Sequence, residues 1–146
     1  MEKSAKKPVV MSGIRPTGIL HLGSYFGALQ NYVRMQNEYE CYFMVADLHS
    51  LTTHPDTKSL RANVLHVVSE YLACGLDQDK AALYCQSAVH ETAELYLYLN
   101  TLAYKGELEK TTTFKEKARS QPQNVNAALL THPSLMAADI LLHRAL

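Results

Sequence analysis

The stretch from Ser12 to Ser24 holds the first group of residues whose types and spacing could do chemistry. Its glycines and proline predict a loop, and Gly13 and Gly18 are the positions where we expect a positive φ or the close approach of a ligand. Apolar residues recur after the loop at helical spacing, so the loop leads into a helix N-terminus, where free N–H groups favour phosphate. His21 can donate to phosphate oxygens, and the missing side chain of Gly23 would let a nucleotide lie against the backbone.

This loop matches neither of two widespread nucleotide-binding motifs. It is not the GxGxxG of dinucleotide-binding folds, and it is not a P-loop, because no Gly-Lys-Ser/Thr follows it. A plain strand-to-helix turn with a histidine at the helix start therefore remains the alternative.

A single carboxylate in an apolar helix is the second candidate. Asp139 lies among Met, Ala, Ile and Leu in the run 135–142, where burial is costly unless the carboxylate is paired. The partner is either structural (Arg144, a lysine or a helix N-terminus) or an N–H donor on an otherwise apolar ligand, such as an indole ring. Met136, one turn earlier, would then form a soft wall of the pocket.

Three short apolar runs predict the strands that would position these residues: 8–11, 41–46 and 81–86. Continuous apolar strands that alternate with helices are typical of a parallel sheet covered on both faces. Asp47 and His49 follow the second strand and Gln86 ends the third, and ligands of such sheets bind at these carboxyl ends. Asp47 and His49 can thus contact a substrate or each other, although fixing local turns is the preferred interpretation.

The helices are predicted from periodicity and end signals. A helix should follow the first loop to about Asn37, with one apolar face formed by Leu22, Tyr25, Phe26, Leu29, Tyr32 and Val33. A second, capped by Asp56 or Thr57, should end before Gly75 and bury Leu60, Val64, Val67, Val68, Tyr71 and Leu72.

The remaining chain predicts four more segments. A helix over 90–104 should pack through Leu95, Leu99, Leu102 and its tyrosines, although a dimer face is an alternative. The charged segment 107–117 should be a solvated helix, and a polar loop over 119–124 should follow it. Helices are expected over 125–130 and 135–142, separated by a break at 131–134.

Composition excludes several classes of protein. The 14 basic and 14 acidic residues among 146 give a formal net charge of zero, which removes the simplest argument for nucleic-acid binding. The three cysteines form no CxxC pair, so we expect buried free thiols, a reducing cytoplasm and no metal site. We expect no membrane segment and no signal peptide, because no apolar run is long enough to span a membrane and residues 1–7 are short and polar. These seven residues should form a disordered tail.

The segment Pro16–Ser24 resembles the first signature of the class I aminoacyl-tRNA synthetases, His-Ile-Gly-His. Together with the segments 106–117 and 136–141, it makes the chain most similar to the tryptophanyl-tRNA synthetase family, from Val9 to the last residue. Three positions depart from that family's usual pattern: Ser24 stands for Asn, Arg15 for Gln and His132 for Tyr.

The resemblance implies an α/β fold, a Rossmann-like parallel sheet with flanking helices. Residues 8–146 would form the N-terminal half of the catalytic domain, because the second signature, Lys-Met-Ser-Lys-Ser, and the helical anticodon-binding domain are absent. We therefore expect a truncated chain that is poorly soluble or oligomeric by itself, since its first strand would leave an unpaired sheet edge.

The activity that the resemblance implies is ATP-dependent activation of L-tryptophan to tryptophanyl-adenylate, followed by transfer to tRNA(Trp). Mg²⁺ would be bound to the ATP phosphates, and the protein would be a cytoplasmic homodimer that contacts tRNA mostly outside this chain. The residues expected at ATP are Arg15, Pro16, Thr17, His21, Gly23, Ser24 and Lys117, and of these His21, Gly23, Ser24 and Lys117 are expected to be catalytic. Those expected at tryptophan are Gly13, His49, His132, Met136 and Asp139. The segment 46–52 also resembles one that lines the amino-acid pocket, which implies a pocket-wall role for Asp47 and His49 rather than a catalytic one.

His132 adds one expectation of its own. Where the family's Tyr would hold the amino-acid end of the substrate, a histidine could still donate a hydrogen bond. Its protonation would make tryptophan binding depend on pH near neutrality.

Three alternatives remain open. The tyrosyl-tRNA synthetases share the first loop, but the segments 106–117 and 136–139 favour tryptophan. A non-catalytic binding module with half a nucleotide site is a different class, and it predicts no turnover. An unrelated nucleotidyltransferase does not explain the segment around Asp139.

Overall fold

A computed structural model describes residues 7–53 and 57–145. Within these residues, three parallel strands form one sheet in the order β1-β2-β3, with Val9 opposite Glu40 and Ile14 opposite Val45. The strands are β1 (Val9–Ile14), β2 (Glu40–Val45) and β3 (Ala81–Cys85). The main helices are α1 (Leu22–Ser24), α2 (Gln30–Met35), α3 (Asp47–Leu51), α4 (Thr57–Ala73), α5 (His90–Leu102), α6 (Lys105–Leu108), α7 (Thr112–Ser120), α8 (Ala127–Leu130) and α9 (His132–His143). A π-helical turn, Tyr25–Leu29, joins α1 to α2, and 3₁₀ turns cover Gln86–Ala88 and Pro122–Asn124. The predicted parallel α/β sheet is confirmed.

The core lies where α2 and α4 pack against the sheet. Tyr32 stacks on Phe43 with ring centroids 4.2 Å apart, and Tyr71 meets Tyr32 edge-on. The Tyr71 hydroxyl donates to the Met44 carbonyl at 3.0 Å and accepts the Ile14 N–H at 3.1 Å. Burial raises the pKa of Tyr71, so this hydroxyl keeps its proton and ties the carboxyl ends of β1 and β2 to α4.

The end of α4 follows the predicted glycine signal. Gly75 has a φ of 100°, its N–H reaches the Leu72 carbonyl, and the Leu76 N–H reaches the Tyr71 carbonyl. This is the paired hydrogen-bond pattern of a left-handed helix end, which a glycine adopts without strain. The chain can therefore turn directly toward β3.

The first strand is longer than predicted, and of the two alternatives expected for Gly13 it excludes the positive φ. Gly18 has the expected positive φ, of 125°, but Gly13 lies inside β1 with no positive φ. A Cβ at Gly13 would lie 2.5 Å from Met44 Cγ and 2.7 Å from the Met44 carbonyl oxygen. Gly13 is thus needed because the neighbouring strand lies too close for a side chain.

Several apolar residues predicted to face inward are exposed instead. The face after the first loop is buried only from Leu29 onward, because nothing among the described residues covers the turns before it. The helix α5 ends at Leu102. The prediction that its leucines and tyrosines pack against the fold is wrong for the residues on its solvent side. The exposed residues that were predicted to pack are Leu22, Tyr25, Phe26, Leu72, Tyr98, Leu102 and Tyr104.

The charged segment is two short helices rather than one. The chain leaves helical geometry between Leu108 and Thr112, and Lys105 pairs with Glu109 while Lys110 pairs with Glu107 on the surface. The predicted break between the two last helices exists but is confined to Thr131, because α9 already begins at His132, with Pro133 in the first turn, where a missing N–H is tolerated. The predictions for the tail 1–6 and for Asp56 lie outside the described residues, and the Lys7 side chain donates to the Asn37 carbonyl.

In the ranges 7–53 and 57–145, no helix has the length and apolar character that crossing a bilayer requires.

Candidate functional site

A cavity of about 290 Å³ opens at the carboxyl ends of β1 and β2, beneath α9. It contains six of the residues predicted to bind ligand. These are Gly13, Arg15, His49, His132, Met136 and Asp139, and the rest of the lining is Met11, Ser12, Met44, Ala46 and Ile140. Strand ends, α3 and α9 thus bring together residues that are up to 126 positions apart.

Asp139 is the most buried polar group of this cavity, at 1% exposure. Its Oδ2 accepts from His49 Nε2 at 2.7 Å, and the Gln86 amide nitrogen lies 2.9 Å from both carboxylate oxygens. Because a carboxylate only accepts, His49 must carry a proton on Nε2. The expected structural partners, Arg144, a lysine or a helix N-terminus, are therefore wrong, and His49 and Gln86 take their place.

His49 extends this network to His132, whose Nε2 lies 3.1 Å from His49 Nδ1. Burial, followed by the neighbouring His49 and Arg15, lowers the pKa of His132 to about 4. His132 is therefore uncharged throughout the pH range 5.5–8. The prediction that it titrates near neutrality is wrong, because taking up a proton here costs solvation and places a positive charge beside His49 and Arg15.

Asp47 has a structural role. Its Oδ1 accepts the N–H groups of Leu48 and Ser87, both at 3.0 Å, and its Oδ2 accepts the Cys85 thiol at 3.1 Å. Burial and this carboxylate raise the pKa of Cys85, so the thiol keeps the proton that it donates. Asp47 thus fixes the turn after β2 against the end of β3, as the residues alone suggested. The pocket-wall position that the resemblance implies is confirmed for His49 but not for Asp47, which does not line the 290 Å³ cavity.

The signature segment has a different environment. His21 is the N-cap of α1, and its Nδ1 accepts the Ser24 N–H at 3.2 Å on the surface. A Cβ at Gly23 would lie 2.9 Å from the His21 ring, so the glycine leaves room for that ring. Leu20 donates its N–H to Glu70 of α4 at 3.2 Å, which anchors the loop to the fold.

The other predicted ATP residues lie outside the 290 Å³ cavity. Pro16 is buried and, with Thr17, lines a separate cavity of about 210 Å³ beside Ser50 and Thr53. Lys117 is half-buried in the last turn of α7 and lines neither cavity. The structure therefore gathers the predicted amino-acid residues but leaves most of the predicted ATP residues apart.

Gln86 is the residue that sequence reasoning underused. It is fully buried, and it was noted only as the end of a strand on the ligand side. Its position directly after β3 was the available signal, because that end of a parallel strand faces the ligand edge of the sheet. Nothing in the sequence connected it with Asp139, which is 53 residues away.

Comparison with known proteins places these features in a family. The family model for "tRNA synthetases class I (W and Y)" matches residues 3–145. A tryptophan--tRNA ligase of Porphyromonas gingivalis is 64% identical over 136 residues, and one of Oceanobacillus iheyensis is 46% identical over 134 residues. These matches cover 93% and 92% of this chain, but 42% and 41% of the relatives, so the chain spans less than half of their length.

Solved structures agree with this assignment. Tryptophanyl-tRNA synthetase of Campylobacter jejuni, complexed with ADP and tryptophan, superposes with a TM-score of 0.88 at 34% identity, over 94% of this chain and 43% of that one. The Mycoplasma pneumoniae tryptophanyl-tRNA synthetase also gives 0.88, at 36% identity, over 95% of this chain and 42% of that one. A tyrosyl-tRNA synthetase of Archaeoglobus fulgidus, at 17% identity and a TM-score of 0.79, shares the fold over 97% of this chain and 45% of its own. The predicted Rossmann-like fold and the predicted family are confirmed, and the chain belongs to the class I tRNA synthetases of the tryptophan and tyrosine group.

Proposed function

We propose that this chain forms the tryptophan-binding part of a tryptophan--tRNA ligase, which activates L-tryptophan with ATP and transfers it to tRNA(Trp). The observation that carries the proposal is Asp139, a buried carboxylate that lines a mostly apolar cavity. Both curated relatives named above are tryptophan--tRNA ligases. The same family includes enzymes for tyrosine, but this degree of identity favours tryptophan.

The cavity suits an indole ring at one end and an amino-acid head group at the other. Met136 and Ile140 supply apolar walls, and Asp139 supplies an acceptor for the indole N–H. His132 and Arg15 line the same cavity and supply polar atoms for the α-amino and carboxylate groups. Gly13 leaves the floor of the cavity without a side chain.

The nucleotide would bind beside this cavity, at the signature loop. The α1 N-terminus offers the backbone N–H groups of Leu22 and Gly23, whereas the Ser24 N–H is already bonded to His21, and Arg15 is exposed between loop and cavity. Lys117 lies outside the cavity, so it would contact the phosphates only if α7 moved toward the nucleotide or the nucleotide extended toward α7. We therefore assign Pro16, Thr17, His21 and Lys117 to ATP on the strength of the family pattern.

Mg²⁺ fits this scheme as a companion of the nucleotide. Among residues 7–53 and 57–145, no three His, Cys, Asp or Glu side chains lie close enough together to hold a metal ion. On the family pattern, the ion would be carried by the ATP phosphates, where it would neutralise charge.

The chemistry requires no protein nucleophile. A tryptophan carboxylate oxygen attacks the α-phosphorus of ATP, the bond to the β-phosphate bridging oxygen breaks, and pyrophosphate leaves. A terminal ribose hydroxyl of tRNA then attacks the carbonyl carbon and releases AMP. The residues of this chain would act by positioning the reactants and by stabilising the developing charge.

The exposed apolar side of α5 and the following residue Tyr104 is the surface we propose for a homodimer contact. Leu97, Tyr98, Leu102 and Tyr104 are each more than half exposed there, and aromatic residues are enriched at interfaces. Contacts with tRNA would lie mostly outside this chain, and the cytoplasm is the compartment proposed for this activity.

The test is amino-acid-dependent exchange between ATP and pyrophosphate, with the complete product of the gene that encodes this chain. Tryptophan, tyrosine and no amino acid are compared side by side, and the 146-residue chain is tested in parallel. Exchange with tryptophan alone is the expected result. Exchange with tyrosine would overturn the assignment, and no exchange from folded complete protein would favour a non-catalytic module.

A further inference from the structure

Gln86 is a buried side chain that touches two elements of the cavity without lining it. It has no exposed surface and sits in the turn that follows β3. Its amide nitrogen lies 2.9 Å from Oδ1 and 2.9 Å from Oδ2 of Asp139. Its amide oxygen accepts the backbone N–H of His49 at 3.2 Å.

These contacts join both members of the buried His49–Asp139 pair through one amide. The donor side of Gln86 holds the carboxylate on α9, and the acceptor side holds the backbone of α3. The two elements come from positions 90 residues apart in the chain. An amide is the group that satisfies both at once, because it has a donor and an acceptor on one planar unit.

The network also determines which acceptor site of Asp139 stays available. A carboxylate has about four lone-pair positions. Oδ2 receives both His49 Nε2 and Gln86, whereas Oδ1 receives Gln86 alone. A ligand N–H would therefore be accepted at Oδ1.

We propose that Gln86 is a positioning residue for amino-acid recognition: it holds the Asp139 carboxylate so that Oδ1 faces the donor of the substrate ring. This rests on the proposed function, in which Asp139 accepts the indole N–H. A carboxylate held by His49 alone could rotate about its Cβ–Cγ bond, so that the free acceptor position would no longer be fixed. Gln86 thus acts through Asp139 and makes no contact with the substrate itself.

Gln36 provides a matched control within the same chain. It is also a buried glutamine, at 5% exposure, and it also bridges two elements, with its amide nitrogen donating to the Gly75 carbonyl and its oxygen accepting the Asp77 N–H. It does not line the cavity. The substitutions Gln86→Met and Gln36→Met therefore remove the same chemical group from equally buried bridges, and only the first concerns Asp139.

The experiment measures exchange kinetics in the complete protein for the wild type, Gln86→Met, Gln86→Glu and Gln36→Met. We expect Gln86→Met to raise the KM for tryptophan about tenfold or more, the size of a lost hydrogen bond to a charged group, with the KM for ATP within about twofold of the wild type. Gln86→Glu keeps an acceptor for the His49 N–H but loses the donor to Asp139, so it should raise the same KM. Gln36→Met should lower the unfolding midpoint and leave both KM values unchanged.

A second readout does not depend on turnover. The imidazole ¹⁵N resonances of His49 report its proton on Nε2, and they should shift in both Gln86 variants but not in Gln36→Met. Unchanged tryptophan KM and unchanged His49 resonances in folded Gln86→Met would overturn the proposal. A wild type that shows no tryptophan-dependent exchange would instead overturn the proposed function, so the two failures are distinguishable.

Discussion

The cavity at Asp139 and the N-terminus of α1, which lies in the signature segment Pro16–Ser24, differ in how many tertiary contacts hold their residues in place. Asp139, His49 and Gln86 are buried and joined to one another by hydrogen bonds of 2.7–3.2 Å. His21 and Gly23 are exposed, and the helix that they begin has no buried residue in its first turn. The difference indicates that the proposed amino-acid site is preorganised by tertiary packing, whereas the proposed nucleotide site relies on local backbone geometry.

Asp139→Ala should give the largest effect, because it breaks the preorganised side at its centre. It leaves the His49 Nε2–H and the Gln86 amide buried without an acceptor, which should cost about 1–3 kcal/mol of unfolding free energy for each donor. Tryptophan-dependent exchange should be lost as well. Denaturant unfolding and pyrophosphate exchange measure the two effects, with Asp79→Ala, which removes an exposed carboxylate, as control. An unchanged tryptophan KM in a folded variant would remove Asp139 from recognition.

Gly13→Ala and Gly23→Ala place the same methyl group in the two regions. At Gly13 the new Cβ would meet the Met44 side chain and carbonyl at 2.5–2.7 Å, so a strand must move, at a cost of about 1–3 kcal/mol. At Gly23 it would meet only the exposed His21 ring, which can turn away and lose no more than its hydrogen bond to the Ser24 N–H. Unfolding midpoints should therefore fall clearly for the first and little for the second. Gly27→Ala, with no atom within 4 Å of the new Cβ, serves as the control, and equal losses at Gly13 and Gly23 would erase the contrast.

Two variants of His21 distinguish a role in capping α1 from a role in contacting ATP. His21→Ala removes the acceptor for the Ser24 N–H and should cost about 1 kcal/mol of unfolding free energy, as a lost N-cap does. His21→Asn keeps a capping acceptor, so it should restore stability. If His21 contacts ATP, exchange stays impaired in both variants. Recovery of exchange together with stability in His21→Asn would reduce the histidine to a cap.

The pH dependence of tryptophan binding should show the smallest effect. The pKa of His132 is lowered to about 4, so titration of this residue should not change the KM for tryptophan between pH 5.5 and 8. Folding stability should respond at lower pH. Because the pKa of His132 is lower in the folded protein than its usual value near 6.5 in the unfolded chain, the unfolded chain takes up the proton first. The contribution of this residue to stability is therefore complete above about pH 6.5 and is lost as pH falls from 6.5 toward 4. Denaturant midpoints of the wild type and His132→Phe between pH 7 and 4 measure this. A wild type that loses no more stability than the variant would contradict it.

The sequence by itself determined the local and periodic features of this protein. The apolar runs predicted all three strands, the turn at Gly75 was read from one residue, and strand-end positions predicted that His49 would lie on the ligand side. These features follow from backbone geometry and from the shared direction of parallel strands, which neighbouring residues in the chain encode. The resemblance of short segments was sufficient to predict the family.

Only the tertiary structure decided which groups meet. The partners of Asp139 lie 53 and 90 residues away in the chain, and no periodic pattern in the sequence predicts either pairing. The low pKa of His132 depends on burial beside His49, and the need for Gly13 depends on Met44 of the next strand. The exposure of Leu22 and Phe26 likewise depends on which other segments pack against their helix. The spacing of apolar residues within the helix does not specify those segments. Contacts between distant segments arise from packing, so the physical roles of these residues became visible only in the folded chain.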